Sequence, residues 1–201
     1  MQASSASDWR VEPVGDCCLM VVFGQQVDPA IHARVTALAD HLFAHPIPGV
    51  TDVVPAFTTV SVHYRPDRVE GAGASPYDAL RLRITTLLDR GLPSRQAAPR
   101  TVQIPVCYDE QFGPDLPEIA QACAMPIDEI IRRHVASEHM VYMLGFAPGF
   151  PYMGGLDAKL AMPRRSTPRV RIPAGTVAIA REQSAIYTLE SPGGWNLIGR
   201  T

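Results

Sequence analysis

The feature that most constrains this chain is a set of three segments in its last third, all rich in glycine and proline. They are residues 144–156 (LGFAPGFPYMGGL), 163–180 (PRRSTPRVRIPAGTVAIA) and 191–201 (SPGGWNLIGRT). Glycine reaches backbone torsions that other residues avoid and proline fixes φ, so segments dense in both specify loop shapes. Loops of defined shape commonly carry binding or chemistry. We therefore expect the functional residues in this part of the chain.

A chain of 201 residues can form one large domain or two small ones, and we predict two. Residues 1–93 are expected to form an α+β domain in the order ββαββα, a small sandwich with its helices on one face of an antiparallel sheet. The apolar patterns predict strands at residues 18–23, 50–54 and 60–64, and helices that begin at Asp28 and Ser75 and end before Pro46 and at Gly91.

The stretch 92–99 is short, polar and flanked by proline, and we place the domain boundary there. Residues 98–201 are expected to form a closed or nearly closed β-barrel with helical decoration. The patterns predict helices near residues 115–123 and 127–137, and strands at residues 102–106, 141–146, 169–172, 176–180, 185–189 and 195–199.

The sequence also argues against several classes of protein. It has no GxxxxGKS/T phosphate loop and no GxGxxG, GxSxG or HExxH motif, so we do not expect a self-contained nucleotidase, dehydrogenase or hydrolase. The formal net charge of -2 comes without long single-sign runs, which disfavours nucleic-acid binding. No apolar run reaches the ~20 residues of a membrane span, and no cysteine spacing signals a metal site. We expect a cytoplasmic protein with no metal motif of its own.

Three arginines, Arg164, Arg165 and Arg169, form the best candidate for binding an anion. A guanidinium group matches carboxylate and phosphate oxygens two at a time. The alternative is a solvated loop, since exposed charges need no partner. The neighbouring prolines favour the binding interpretation, because a stiffened side chain loses less freedom on binding.

His134 is predicted at the end of a helix, just before the first glycine-rich segment. A histidine there can act as a general base or as a cation stabilised by the helix dipole. A structural histidine at a helix end is the alternative. The sequence alone leaves both open.

Aromatic residues and a glycine pair complete the candidate site. Phe146, Phe150, Tyr152 and Trp195 can line a small-molecule pocket, although barrel core is the alternative and is the one we favour for Phe146. Gly193 and Gly194 offer unobstructed backbone N–H groups that suit an oxyanion or a carboxylate, with a tight turn as their alternative.

Together these motifs resemble those of one family, the B subunits of 5-oxoprolinase, also described as KipI-like or allophanate hydrolase subunit 1. The resemblance runs from a histidine at a helix end (His134) through the PGFPY, PRR and PAG motifs to SPGGW and the final GRT. It spans nearly the whole chain and is densest over the last third. The ββαββα order of the first half is also similar to that of the family.

The resemblance implies a C-terminal part that is cyclophilin-like and a protein that works with the C and A subunits of 5-oxoprolinase. The complex implied is an ATP-dependent hydrolase that opens 5-oxo-L-proline to L-glutamate. A five-membered lactam is a poor electrophile, and phosphoryl transfer to its oxygen would activate it, a step that normally uses ATP with Mg²⁺. Arg164, Arg165 and Arg169 would supply charge there, and the segment carrying Gln183 and Tyr187 adds two candidate binding residues.

Three departures from the family pattern stand out. The chain has His139 where the family often has tyrosine. It reads QSAIYT at residues 183–188 where the family has QTGIYP, and Ala185 adopts a positive φ less easily than glycine. Relatives continue for about twenty residues past the last segment, so we expect either a trimmed chain or a barrel without its final strands.

Two other functions stay open. The family includes an inhibitor of a sensor histidine kinase, which acts by binding alone. Related paired domains form the carboxyltransferase portion of urea carboxylase, although no biotin-attachment segment is seen in this sequence.

Overall fold

The structure is a computed structural model that describes residues 9–92 and 100–201. The chain divides into two compact units, residues 1–99 and 100–201. Both contain helices and antiparallel strands, so the mixed helix and strand class is as predicted. The predicted boundary stretch, residues 92–99, lies outside the described residues except for Leu92. Within those residues, no helix combines the length and apolar character that a membrane crossing requires.

The first unit has the predicted order ββαββα. Its elements are β1 (Arg10–Pro13), β2 (Cys18–Val22), α1 (Pro29–Ala44), β3 (Val50–Pro55), β4 (Thr59–Tyr64), a 3-10 turn (Pro66–Arg68) and α2 (Pro76–Asp89). The four strands form one antiparallel sheet in the order β1-β2-β4-β3. Buried side chains of both helices join those of the sheet in one core.

Both helices of this unit begin and end as the sequence predicts. Asp28 accepts hydrogen bonds from the N–H groups of Ala30 (2.6 Å) and Ile31 (3.3 Å) at the start of α1. Ser75 accepts from the N–H of Asp78 at 3.1 Å at the start of α2. Beyond the end of α2, Gly91 has a φ of 82°, which glycine adopts without a side-chain clash.

The second unit holds two helices and seven strands among residues 100–201. These are α3 (Leu116–Ala122), α4 (Ile127–Ala136), β5 (Met140–Leu144), β6 (Pro151–Gly154), a 3-10 turn (Ala158–Leu160), β7 (Arg169–Ile172), β8 (Thr176–Ala180), β9 (Gln183–Ile186), β10 (Ser191–Gly193) and β11 (Asn196–Arg200). Five strands form a sheet in the order β11-β8-β9-β6-β5, and β10 pairs with β7 in a second sheet.

Some predicted strands differ from those observed. The expected strand at residues 102–106 is wrong: this stretch has no regular structure, and only Cys107 pairs with the sheet, by an isolated bridge to Arg200. Strands β6 and β10 were not predicted. Both contain proline and glycine, which are typical of loops, and their sequences PYMG and SPG are too short for an alternating pattern.

The five-stranded sheet has a different core on each face, because neighbouring residues of a strand point to opposite sides. The helix face carries the buried cluster Leu116, Ile119, Ile130, Leu156, Leu160, Met162, Val177, Ile179 and Ile198. The aromatic face carries the buried cluster Phe150, Ile172, Ala178, Ala180, Ala185, Tyr187, Trp195 and Leu197. These two faces separate the candidate functional residues.

Candidate functional site

A compact group of aromatic rings covers the aromatic face. The ring centroid of Phe150 lies 5.0 Å from Tyr152, 5.2 Å from Tyr187 and 6.2 Å from Trp195, with all three pairs edge to face. Small residues of β8 and β9, such as Ala178 and Ala185, leave room for these rings. Three predicted site residues, Tyr152, Tyr187 and Trp195, therefore lie together. Edge-to-face packing adds to the stability that burial gives.

Arg164 lies at the edge of this group. Its guanidinium carbon is 5.7 Å from the ring centroid of Trp195, within the range of a cation–π contact. The backbone on both sides of it is fixed: Asn196 donates to the carbonyl of Pro163 at 2.9 Å, and the N–H of Arg165 donates to the carbonyl of Gly194 at 2.8 Å. The Arg164 side chain is thus exposed while its backbone is held in place.

The other two arginines of the predicted anion site have a protein partner, Asp115. This aspartate is 3% exposed and stands just before α3. Arg169 donates two hydrogen bonds to its carboxylate, at 2.6 and 3.0 Å, and Arg165 donates one at 3.1 Å. The N–H of Leu197 donates a fourth at 2.7 Å. A buried carboxylate is stable when it is satisfied in this way.

Arg165 also donates to Glu118 at 2.8 Å. Arg165 and Arg169 therefore tie residues 163–169 to the beginning of α3 and to β11. Among the described residues, no hydrogen bond or ion pair engages the Arg164 guanidinium. Of the three arginines predicted to bind an anion, Arg164 is the one whose guanidinium makes no such contact, whereas Arg165 and Arg169 each pair with Asp115.

Of the glycine pair, Gly193 has a packing role in this structure. A Cβ built on Gly193 would lie 2.1 Å from the hydroxyl oxygen of Tyr187, so only glycine fits beside this buried ring. Gly193 is part of β10, opposite Arg169 in β7, and Gly194 accepts the hydrogen bond from Arg165. Gly193 is therefore a strand residue, and only Gly194 and Trp195 lie in the short link between β10 and β11.

Tyr187 and Gln183 both belong to the segment that follows β8. Burial raises the pKa of Tyr187, while a hydrogen bond with the backbone of Trp195 and the charge of Arg164 act in the opposite direction. Gln183 pairs with Ala180, whose side chain is in the core of the aromatic face, so Gln183 also belongs to that face. Ala185 lies fully buried within β9 and has no positive φ, so the missing glycine does not distort this strand.

Phe146 differs from its prediction. We expected it in the core at the end of a strand, but it is 61% exposed in the loop after β5. Its φ is 64°, and the N–H of Ala147 donates to the carbonyl of Gly145 across it, which makes a strained three-residue turn. The ring nevertheless contacts the aromatic group, 5.2 Å from Phe150 and 6.4 Å from Tyr187.

His134 lies on the helix face, at the end of α4 as predicted, and is buried. The hydroxyl of Tyr108 is 2.8 Å from Nδ1, and the hydroxyl of Ser184 is 3.1 Å from Nε2. Ser184 also donates to the carbonyl of Ala178 at 3.4 Å. A consistent assignment has Tyr108 donating to Nδ1 and Nε2–H donating to Ser184, which a neutral imidazole satisfies.

The electrostatics agree with a neutral His134. Burial, together with the neighbouring His139, lowers the pKa of His134 to about 4. The two rings are 4.7 Å apart, and Nε2 of His139 donates to the carbonyl of His134 at 3.1 Å. Burial also lowers the pKa of His139 and raises the pKa of Tyr108 to about 12. These hydrogen bonds favour the structural alternative for His134.

The structure thus brings some predicted residues together and keeps others apart. Ser184 and Ala185 are neighbours in β9, yet Ser184 bonds to His134 while Ala185 packs in the aromatic core. His134 is therefore separated by the sheet from Arg164 and Trp195.

Four residues of these contacts were not predicted: Tyr108, Asp115, Ser184 and Asn196. Asp115 carried a signal, an acidic residue before a predicted helix, but that signal indicates a helix cap. In the structure its side chain does not cap α3 and bonds to arginines instead. Within residues 9–92 and 100–201, no group of three or more metal-binding side chains is arranged to hold an ion.

Comparison with known proteins places this chain in a family. Residues 9–201 match the family described as carboxyltransferase domain, subdomain C and D. The 5-oxoprolinase B subunit of Bacillus subtilis (strain 168) is 39% identical over 198 residues, which cover 96% of this chain and 82% of that protein. The 5-oxoprolinase B subunit of Escherichia coli O157:H7 is 34% identical over 191 residues, covering 94% and 82%.

Two solved structures extend the comparison. That of TTHA0988 superposes with a TM-score of 0.78 at 39% identity and covers 91% of this chain, which spans 34% of that longer chain. The Kluyveromyces lactis urea carboxylase has a TM-score of 0.76 at 18% identity over 96% of this chain and 19% of its own, and so shares the fold. By the matches to both relatives and to the family model, the chain belongs to the family of 5-oxoprolinase B subunits.

Proposed function

We propose that this chain is the B subunit of an ATP-dependent 5-oxoprolinase that opens 5-oxo-L-proline to L-glutamate, with the C and A subunits of that enzyme as partners. The observation that carries the proposal is its identity of 34–39% to two proteins named as B subunits of 5-oxoprolinase, over more than nine-tenths of this chain. In this proposal the chain is inactive alone and contributes part of a site.

The aromatic face supports this proposal chemically. 5-Oxo-L-proline is a small ring with one carboxylate, and small-molecule sites typically combine apolar and aromatic walls with a few placed polar groups. Arg164 supplies an exposed cation beside Trp195, and Tyr187, Tyr152 and Gln183 lie on the same face. We propose this region, with Gly193 and Gly194 shaping it, as the contribution of the chain to the substrate site.

We further propose that ATP and Mg²⁺ are bound at the level of the complex. The candidate site, as far as the described residues form it, supports this proposal: two of its three arginines are bound to Asp115, and Asp115 and Glu118 bring negative charge to the same place. A triphosphate needs several cations around it. The residues that hold ATP are therefore expected in a partner protein of the complex.

The fold details and the location are proposals of the same kind. We propose that residues 1–93 form a small α+β sandwich and that residues 98–201 form a cyclophilin-like barrel, which the sheets and helices of each unit support. We propose a cytoplasmic protein, because its proposed cosubstrate ATP is a cytoplasmic metabolite.

Reconstitution tests the proposed function. The chain is mixed with candidate C and A subunits encoded beside it, and L-glutamate released from 5-oxo-L-proline is measured with and without ATP. We expect ATP-dependent release that disappears when this chain is left out. Glutamate release that is the same without this chain, or none with any combination of the three proteins, would contradict the proposal and favour a regulatory binding function.

A second candidate is carboxyl transfer, favoured by the description of the matching family and by the fold shared with urea carboxylase. The same mixtures, supplied with carboxybiotin and urea, would lose carboxybiotin if this function were correct. We expect no such loss.

A further inference from the structure

Of the three arginines at residues 163–169, two are paired with Asp115 and one is not. Its two carboxylate oxygens accept four hydrogen bonds: three from Arg165 and Arg169 and one from the N–H of Leu197. The charges of these two arginines are thereby offset locally, and Glu118 adds a further negative charge beside Arg165. Arg164, between Pro163 and Arg165, has no such partner among the described residues.

The same contacts fix where Arg164 stands. Asn196 is buried and holds the carbonyl before Arg164, and Gly194 holds the N–H after it. Asp115 holds the side chain of the next residue, Arg165. The guanidinium of Arg164 is placed over Trp195. A guanidinium that covers a ring keeps its in-plane N–H donors for another partner.

We propose that Arg164 binds one carboxylate at the edge of the aromatic face, that Asp115 is the positioning residue that sets this selectivity, and that the surface rejects polyphosphates. The inference rests on the proposed function for the identity of the ligand, a small lactam with a single carboxylate.

The charges explain the selectivity. One guanidinium and one carboxylate match in number of charges and in their paired hydrogen bonds. A phosphate chain brings several negative charges next to Asp115 and Glu118, with one uncommitted cation to meet them. Unpaired like charges at close range disfavour binding. The aromatic rings beside Arg164 offer an apolar surface for the ring of the ligand.

Direct binding to the full chain tests the first part. The sequence has two tryptophans, Trp9 and Trp195, so the indole N–H signal of Trp195 is assigned in NMR spectra by a Trp9→Phe variant. We expect 5-oxo-L-proline to shift this signal saturably, and its uncharged carboxamide and tripolyphosphate each to bind at least about tenfold more weakly.

Variants assign the binding to Arg164. Arg164→Ala is expected to weaken 5-oxo-L-proline binding about tenfold or more, because a charge-assisted hydrogen bond is lost. The matched control is Arg171→Ala, which removes an exposed arginine paired with Glu190 and should bind as the unaltered chain does. Equal binding of acid and carboxamide, or no effect of Arg164→Ala, would overturn the proposal.

Asp115→Asn tests the positioning role by a gain of binding. The asparagine can still accept from the N–H of Leu197, but it no longer offsets the charges of Arg165 and Arg169. We expect tripolyphosphate affinity to rise about tenfold. A residue that merely stabilised the fold would give no such gain, and that result would overturn this part. If the variant does not fold, the tripolyphosphate comparison in the unaltered chain decides, since tight binding there contradicts the selectivity.

This test separates the inference from the proposed function. Glutamate release by the complex without carboxylate binding near Trp195 would refute the inference and leave the function. Carboxylate binding that depends on Arg164, without any glutamate release, would refute the function and leave the inference.

Discussion

The two faces of the five-stranded sheet in the second unit bury their residues in different ways. On the helix face, His134 is buried with Tyr108 and Ser184 on its two ring nitrogens, inside an otherwise apolar core. On the aromatic face, rings pack on alanines, and the charge of Arg164 stays outside. One face encloses its polar groups, and the other presents a cation at its edge.

The two faces differ in whether their polar groups are already engaged within the protein. A histidine whose two nitrogens are occupied has to give up a hydrogen bond before it can accept a proton from a substrate, and a pKa of about 4 leaves it a weak base. Arg164 has uncommitted donors and needs no such exchange. Of these two groups, Arg164 is therefore the one whose donors are available without the loss of an existing hydrogen bond among the described residues.

Exchanging Ser184 and Ala185 would move a hydroxyl group from the helix face to the aromatic face and so test how different the two faces are. The double variant Ser184→Ala/Ala185→Ser removes the partner of His134 Nε2 and places a hydroxyl among aromatic rings. Each change is expected to cost about 2 kcal/mol, and the pair about 4 kcal/mol, in the free energy of unfolding measured with urea.

The two single variants are the controls for this exchange. Each should lose roughly half of the total, because the two side chains lie on opposite sides of the sheet. A double variant as stable as the unaltered chain would show that the faces are not distinct environments.

The second test uses pH, which should affect the helix face. His134 has a pKa of about 4 in the folded chain against a usual value of 6.5, so the unfolded chain binds the proton first. The contribution of the neutral His134 to the free energy of unfolding is fully present above pH 6.5 and decreases as the pH falls towards 4. Below pH 4 it levels off, after a total loss of about 3 kcal/mol. His139, whose pKa burial also lowers, acts in the same direction.

Urea unfolding at several pH values checks this expectation. His134→Gln removes this titrating group and should make the curve between pH 6.5 and 4 shallower, leaving the smaller part that belongs to His139. An unchanged slope in His134→Gln would contradict a buried neutral histidine.

The sequence predicted the elements whose signals are local. The helices that begin at Asp28 and Ser75 have a capping residue, a first-turn proline and an apolar stripe, and both are confirmed. Strands β6 and β10 were missed because they contain Pro151 and Pro192, and proline is typical of loops. Proline is tolerated in β10 because this strand is an edge of a two-stranded sheet. Residues 102–106 alternate between apolar and polar side chains, which predicts a strand, but they do not pair with the sheet. Only the next residue, Cys107, pairs with it.

The candidate site was harder to predict because its contacts are distant in sequence. A segment of arginines and prolines indicates an anion site. Asp115, which accepts a hydrogen bond from Arg165, is fifty residues earlier in the chain, and no local pattern predicts that contact. Likewise the alternation of β9 predicts that Ser184 and Ala185 face opposite ways, but not which face receives His134. Such pairings depend on how strands and helices assemble.

Trp195→Phe sharpens the comparison on the aromatic face. The smaller ring keeps an aromatic contact for Phe150 but loses buried area, and we expect a loss of about 1–2 kcal/mol in the free energy of unfolding. Because Trp195 and His134 lie on opposite faces of the sheet, the loss should be the same at pH 7 and pH 4.5. A loss that depends on pH would mean that the two faces are coupled.

The smallest expected effect concerns Arg164 and Trp195 themselves. A double-mutant cycle with Arg164→Ala and Trp195→Phe should give a coupling of only about 0.5–1 kcal/mol in the free energy of unfolding, because an exposed cation–π contact contributes little. Arg164 would then matter little for the fold while mattering greatly for carboxylate binding. A coupling above about 2 kcal/mol would instead make Arg164 a structural residue like Arg165 and Arg169, and it would contradict the proposal that this arginine is available to a ligand.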